Sequence, residues 1–210
     1  MQIESAHIAK RYGNTIILRD FSVRIQSGEK WHIAGSNGKG KSTLMQMLAA
    51  FISPDKGRID FHLLNGQRLD SSRVFSHISI TTPYTDLIAD FTLAEQIEFH
   101  FRFKKLLFTP EEFNAWISRS KLDIAMNRPL GQLSSGMKQK AKLLLCLCVE
   151  SECIFLDEPC SNLDADGKAF YRELVERRMQ FPATWIVCSN NLPEEHFFCT
   201  HTLDLDRIEI

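Results

Sequence analysis

The sequence predicts an α/β fold: a mainly parallel core sheet flanked by helices, carrying an antiparallel β subdomain and an inserted α-helical subdomain. Three observations predict it. A glycine-rich stretch, Gly35 to Thr43, lies between a short apolar run and a helix-periodic pattern. Two further apolar runs, Cys153 to Leu156 and Ala183 to Cys188, are short, continuous and closed by polar residues, as buried parallel strands are. Between these landmarks the chain changes from period-2 alternation to helix-capping signals.

Taken in chain order, Phe21, Val23 and Ile25 alternate with Ser22, Arg24 and Gln26, the mark of a half-buried strand, and Ser27-Gly28 turns the chain. Trp31 to Ala34 reads as a strand, and Leu44, Met47, Leu48 and Phe51 as the apolar face of the helix after it. Ile59, Phe61 and Leu63 alternate again before Asn65-Gly66, a hairpin signal. Thr92 with Glu95 and Thr109 with Glu112 form capping boxes, with Pro110 at a first helical position. Phe99, Phe101, Phe103, Phe108 and Phe113 read as packing within the helical insert, and Arg102, Lys104 and Lys105 as its solvated face. Ser134 caps a helix through Lys140, Leu143, Leu144 and Leu147, and Lys168 to Met179 crosses over between the last two strands. The chain thus reads as one domain, 1–210. Its antiparallel part covers about 1–30 and 58–80, its helical insert about 84–149, and its core 31–57 and 150–210.

Gly35, Ser36, Asn37, Gly38, Lys39, Gly40, Lys41, Ser42 and Thr43 satisfy the spacing of a phosphate-binding (Walker A) loop, in the strand-to-helix context that such a loop needs. Glycines let backbone N–H groups converge on phosphates, and the helix N-terminus adds a favourable dipole. Lys41 is expected to reach the β- and γ-phosphates of ATP and Ser42 to ligate Mg²⁺. Asp157 and Glu158, at the end of an apolar strand, suit a metal-holding carboxylate and a base that orients a water.

Composition narrows the partners. Lys and Arg number 25 against 26 Asp and Glu, a net charge of −1, so no basic excess points to nucleic acid. The longest apolar run, Leu143 to Val149, is far short of the roughly 18–20 residues that cross a bilayer. The start, Met1-Gln2-Ile3-Glu4, lacks a signal-peptide layout, and six cysteines without a CxxC pair fit reduced core residues. A cytoplasmic protein is expected.

With Leu133-Ser134-Ser135-Gly136-Met137 and Ser161-Asn162-Leu163-Asp164 added, the motifs stand in the order found in ATP-binding cassette (ABC) proteins, and the sequence resembles their nucleotide-binding domain over nearly its whole length. The resemblance implies the family's P-loop NTPase (RecA-like) core. Leu133 to Met137 corresponds to the signature, so that Ser134, Ser135 and Gly136 contact ATP held by a second copy or a homologous ATPase subunit. Tyr12, in Lys10-Arg11-Tyr12-Gly13, falls where an aromatic ring stacks on adenine. The resemblance also implies a head-to-tail dimer around two MgATP, driving a separate integral membrane subunit from the inner face of the cell membrane.

Two positions depart from the family pattern. The family's Gln is expected at Pro83 or its neighbour Thr82, and of the two only Thr82 has a side-chain oxygen to offer to metal or water. Asn190 occupies the place of a His that contacts the γ-phosphate, and His196 and His201 lie too far downstream to replace it. Asn can donate a hydrogen bond but carries no charge. The expected function is an ATP-hydrolysing transporter subunit. The alternatives are a nucleotide-gated dimerisation module with slow or absent hydrolysis, and an ABC ATPase that serves no transporter.

Overall fold

In a computed structural model of the chain, residues 1–63, 65–190 and 192–208 are described. The chain forms two compact units: Met1–Ile78 with Ser151–Asp157 and Pro182–Ile210, and Ser79–Glu150 with Glu158–Phe181.

In the first unit, strands β1 (Gln2–Tyr12), β2 (Thr15–Ile25), β4 (Lys56–His62) and β5 (Arg68–Leu69) form an antiparallel sheet in the order β2-β1-β4-β5. The alternation read in β2 is real: Phe21 and Ile25 are buried, and Ser22, Arg24 and Gln26 are exposed. The hairpin at Asn65-Gly66 also forms, with Gly66 at φ 80° and Asn65 Oδ1 accepting from the Gln67 N–H at 2.9 Å.

A second sheet contains β3 (Lys30–Ala34), β7 (Cys153–Asp157), β8 (Thr184–Cys188) and β9 (His201–Asp204), in the order β7-β8-β3-β9. The three adjacent pairs are all parallel, and every residue of β7 and β8 is buried, which is why those runs lack alternation. β6 (Ile78–Thr81) is not part of the antiparallel sheet, with whose strands the sequence pattern grouped it. Its own pattern, buried at Ile78, Ser79 and Thr81, is that of a core strand. Helix α1 (Lys41–Leu48) buries Leu44, Met45, Met47 and Leu48, and a short helix α2 (Val74–His77) precedes β6.

Phe51, read as part of that face, is instead outside the helix and 55% exposed. The helix ends in a Schellman motif, in which the Phe51 N–H donates to Gln46 O (2.9 Å) and the Ala50 N–H to Met47 O (3.0 Å). Ala50 takes the left-handed position, at φ 60°, that glycine usually fills.

The second unit is mainly helical: α3 (Leu93–Phe101), α4 (Pro110–Arg119), α5 (Ser135–Leu147) and α6 (Ala165–Arg178). Thr92 and Glu95 make a complete capping box. Thr109 caps α4, but Glu112 does not complete the second box, because its carboxylate is held by Arg177 at 2.7 and 3.0 Å. A bidentate pair with Arg outcompetes a backbone N–H open to water. Leu143 to Val149 are all buried, and Phe108 and Phe113 are core residues, Phe113 edge-on to Phe101. Phe99 and Phe103 stand out at 39% and 67% exposure, and Lys104 is partly buried rather than solvated.

Candidate functional site

The phosphate loop runs between β3 and α1 and is shaped by three glycines with positive φ: Gly35 (146°), Gly38 (81°) and Gly40 (90°). Gly40 is the N-cap of α1, and a Cβ there would sit 2.4 Å from Ile17 Cγ2. It provides no side-chain cap, and the first turn holds no acidic residue. Among the described residues, the first N–H groups of the helix therefore have no side-chain cap, an arrangement suited to an anion.

Lys41 is only 6% exposed, although it carries the loop's central cation. Its Nζ donates to Gly35 O (2.8 Å), Ser36 O (3.1 Å) and Asn190 Oδ1 (2.6 Å). The hydroxyls of Ser42 and Thr43 make no hydrogen bond among the described residues, so both are open to a ligand. Gly35 to Gly40 thus form the loop and Lys41, Ser42 and Thr43 the first turn of α1, and Asn190, which enters from the turn after β8, belongs to the same site.

Strand register explains that convergence. Ile33 pairs with Cys188, and Cys188 with Asp157, so the three residues form one row across β3, β8 and β7. With neighbouring strands about 4.8 Å apart, Asp157 stands about 10 Å from Ile33 at the edge where the loop leaves the sheet. Asp157 is 2% exposed. No group of three or more His, Cys, Asp or Glu suited to a metal occurs among the described residues. A hydroxyl and a carboxylate beside bound phosphates nevertheless fit Mg²⁺, which takes few protein oxygens and keeps phosphate and water ligands. Ser42 and Asp157 are the residues that would hold it.

Glu158 follows Asp157 with φ 45°, an uncommon conformation for a side-chain-bearing residue and one concentrated at functional sites. Its carboxylate accepts from the Ser161 hydroxyl at 3.3 Å. In the helical unit, Ser134 is the N-cap of α5, its Oγ accepting from the Met137 N–H at 3.2 Å, and Ser135 and Gly136 form the first turn. A Cβ on Gly136 would lie 2.9 Å from the Asn162 carbonyl oxygen, so glycine is required there by packing, not by flexibility.

Tyr12 ends β1 and is 53% exposed, its ring free to stack, with Lys10 Nζ 5.7 Å from the ring centroid. Thr82 closes a local turn. Its Oγ1 accepts from the N–H groups of Tyr84 (3.1 Å) and Thr85 (3.0 Å), and Lys142 Nζ reaches its carbonyl at 3.3 Å. His196 stacks on His32, with centroids 3.7 Å apart, and His201 on Trp31 at 4.9 Å, so neither stands at Asn190. Burial, followed by the facing His196, holds His32 far below its usual range, at about 4. Sequence reasoning missed Asp206 and Glu195. The carboxylate of Asp206 accepts from both the N–H and the hydroxyl of Ser36 at 2.8 Å, and buried Glu195 is bound by the Ser189 hydroxyl. No local pattern signals a partner 170 residues away.

With this geometry in view, residues 18–161 match the sequence profile of the ABC transporter family. The chain is 30% identical over 185 residues to the petrobactin import ATP-binding protein YclP of Bacillus subtilis (strain 168), covering 85% of this chain and 72% of that protein. It is 31% identical over 184 residues to the sulfate/thiosulfate import ATP-binding protein CysA of Ralstonia nicotianae, covering 84% of this chain but only 49% of CysA, about half its length. A bacterial ABC transporter cassette solved as a dimer superposes with a TM-score of 0.79 at 21% identity, over 99% of this chain and 97% of that one. No helix among the described residues is long and apolar enough to cross a membrane.

Proposed function

The chain belongs to the ABC transporter family, and from that premise we propose that it is an ATP-hydrolysing subunit, which dimerises head to tail around two MgATP and drives a separate membrane-spanning subunit. The observation that carries this reading is the Lys41 ammonium, buried in an uncapped helix-start loop on three neutral oxygens that a phosphate can replace. Lys41 transfers from those carbonyls to the β- and γ-phosphates, and the α1 N–H groups neutralise the rest of the charge. Ser42 and Asp157 would hold Mg²⁺, which would supply charge neutralisation to the phosphates. Tyr12 stacks on adenine. Glu158 accepts the proton of a water whose oxygen bonds to the γ-phosphorus as the bond to the bridging oxygen breaks, leaving ADP and inorganic phosphate. Ser134, Ser135 and Gly136 present the start of α5 to the nucleotide of a second copy or a homologous ATPase subunit, so two chains complete two sites. The membrane partner holds the dimer at the cytoplasmic face of the membrane.

Two variants test this. Lys41→Ala is expected to lose most MgATP affinity in calorimetry, and wild-type binding would overturn the site. Glu158→Gln keeps shape but not basicity, so it is expected to bind MgATP and accumulate as a doubled mass in light scattering. A persistent monomer at high protein concentration counts against the sandwich.

One observation favours a second reading, nucleotide-gated dimerisation with slow hydrolysis. The Thr82 hydroxyl is already engaged by two backbone N–H groups, which leaves it poorly disposed to serve in place of the missing Gln. A steady-state ATPase rate near zero for the wild-type dimer selects that reading.

A further inference from the structure

Among the clusters outside the nucleotide contacts, the tie between the C-terminal segment and the head of the phosphate loop carries the argument furthest. β9 is followed by a 3₁₀ turn, Leu205–Arg207, braced by Asp204, whose carboxylate accepts from the Asp206 N–H at 3.0 Å and pairs with Arg207 at 3.1 Å. Asp204 pairs with Ala34 in the parallel ladder, so the turn emerges beside the start of the loop. There it packs closely: a Cβ on Gly35 would lie 3.2 Å from Leu205 Cβ, and Leu205 is buried.

Ser36 is fully committed. Its N–H and its hydroxyl both donate to Asp206, each at 2.8 Å, while its carbonyl accepts from the Lys39 N–H (3.3 Å) and from Lys41 Nζ (3.1 Å). Asp206 therefore reaches Lys41 through one residue. It grips one edge of the Ser36 peptide, and the neighbouring carbonyl parks the ammonium. We propose that Asp206 is a positioning residue for the phosphate loop, fixing Ser36 so that Lys41 is held ready for the incoming phosphates. The Ser36 donors, with Lys39 and Lys41 nearby, keep the Asp206 carboxyl below the usual carboxylate range, so the grip is ionised at neutral pH. An anion beside a phosphate site also repels the ligand, so charge and geometry act in opposite directions.

This inference rests on the reading of the loop as the ATP site, and calorimetry with MgATP separates the two. Asp206→Ala removes both hydrogen bonds and is expected to weaken MgATP binding about tenfold, at unchanged apo melting temperature. Ser36→Ala removes one bond and is expected to weaken binding about threefold, and the double variant to match Asp206→Ala alone. Asp206→Asn keeps an acceptor for the N–H and a donor for the hydroxyl oxygen while removing the charge. It is expected to bind MgATP as tightly as wild type or more tightly, a rescue that a merely structural role does not explain. Wild-type affinity in Asp206→Ala overturns the proposal, as does an Asp206→Asn variant as weak as Asp206→Ala. Failure of wild type itself to bind MgATP, with Lys41→Ala no different, overturns the underlying site reading instead.

Discussion

Asn190 stands where the family pattern expects His, and its Oδ1 accepts from Lys41 Nζ at 2.6 Å. An amide at this point has both signs of hydrogen bonding: its oxygen holds the ammonium before a nucleotide arrives, and its NH₂ is a neutral donor toward a phosphate. A neutral imidazole has the same pair of functions, but a protonated one repels Lys41. Losing one donor aimed at developing charge costs about 10²–10³ in rate, and a neutral donor recovers part of that. Asn190→Ala is therefore expected to lower the steady-state rate at saturating MgATP by about tenfold or more, and Asn190→His to match or exceed wild type above the imidazole pKa. Equal rates in all three proteins would mean that position 190 does not act on the nucleotide. The loop and Lys41 were legible because their geometry is written in nine consecutive residues. Asp206 was not, because its partner Ser36 is brought to it by strand pairing alone.

Helix α5 shows what sequence carries at the scale of an element. Ser134 as N-cap and the apolar face from Leu143 onward are local consequences of residue type, and both hold in the structure. Gly136 was legible only through the signature, since the packing reason for it, the Asn162 carbonyl, comes from a loop beyond the next strand. Asn162 is itself at φ 62°, so that carbonyl is fixed by a turn with little room to adjust. Gly136→Ala sets two effects against each other. Removing a helical glycine favours the helix by about 0.5–1 kcal/mol, whereas forcing a methyl to 2.9 Å from a backbone oxygen costs about 1–3 kcal/mol. Net destabilisation is expected, visible as a lower melting temperature. A variant as stable as wild type would show that the 161–164 loop yields. The same logic explains the incomplete box at Thr109, where a distant arginine takes the carboxylate that local spacing had assigned to the backbone.

Across the molecule, the order of strands is where sequence falls silent. The apolar runs identify β3, β7 and β8, but only pairing brings β8 between β3 and β7 and lays β9 on the other side of β3. That packing buries a titratable group that no motif marks. His32, in β3, is 4% exposed and stacked face to face on His196 of α7 (Pro193–His196). Ser189 supports its charged form through a backbone contact and Asp204 favours it, while Lys41 opposes it. Burial and His196 dominate, leaving its pKa at about 4, well below the ordinary histidine value of 6.5. The folded state thus binds fewer protons than the unfolded state between those values. Stability is fully present above about pH 6.5 and is lost as pH falls through about 4. At about 1.4 kcal/mol per unit, the loss from His32 reaches on the order of 3 kcal/mol. The expected outcome is a urea midpoint that falls steadily from pH 7 to pH 4.5, above the range where the lowered carboxylates begin to protonate. His100 and His196, also depressed by burial, add to the slope in the same window. The wild-type slope alone therefore does not isolate His32. His32→Leu does, because it removes the titration while keeping an apolar side chain in β3. Whatever its absolute stability, its midpoint is expected to vary less steeply with pH than that of wild type, and parallel pH profiles would mean that His32 titrates as it does in the unfolded chain.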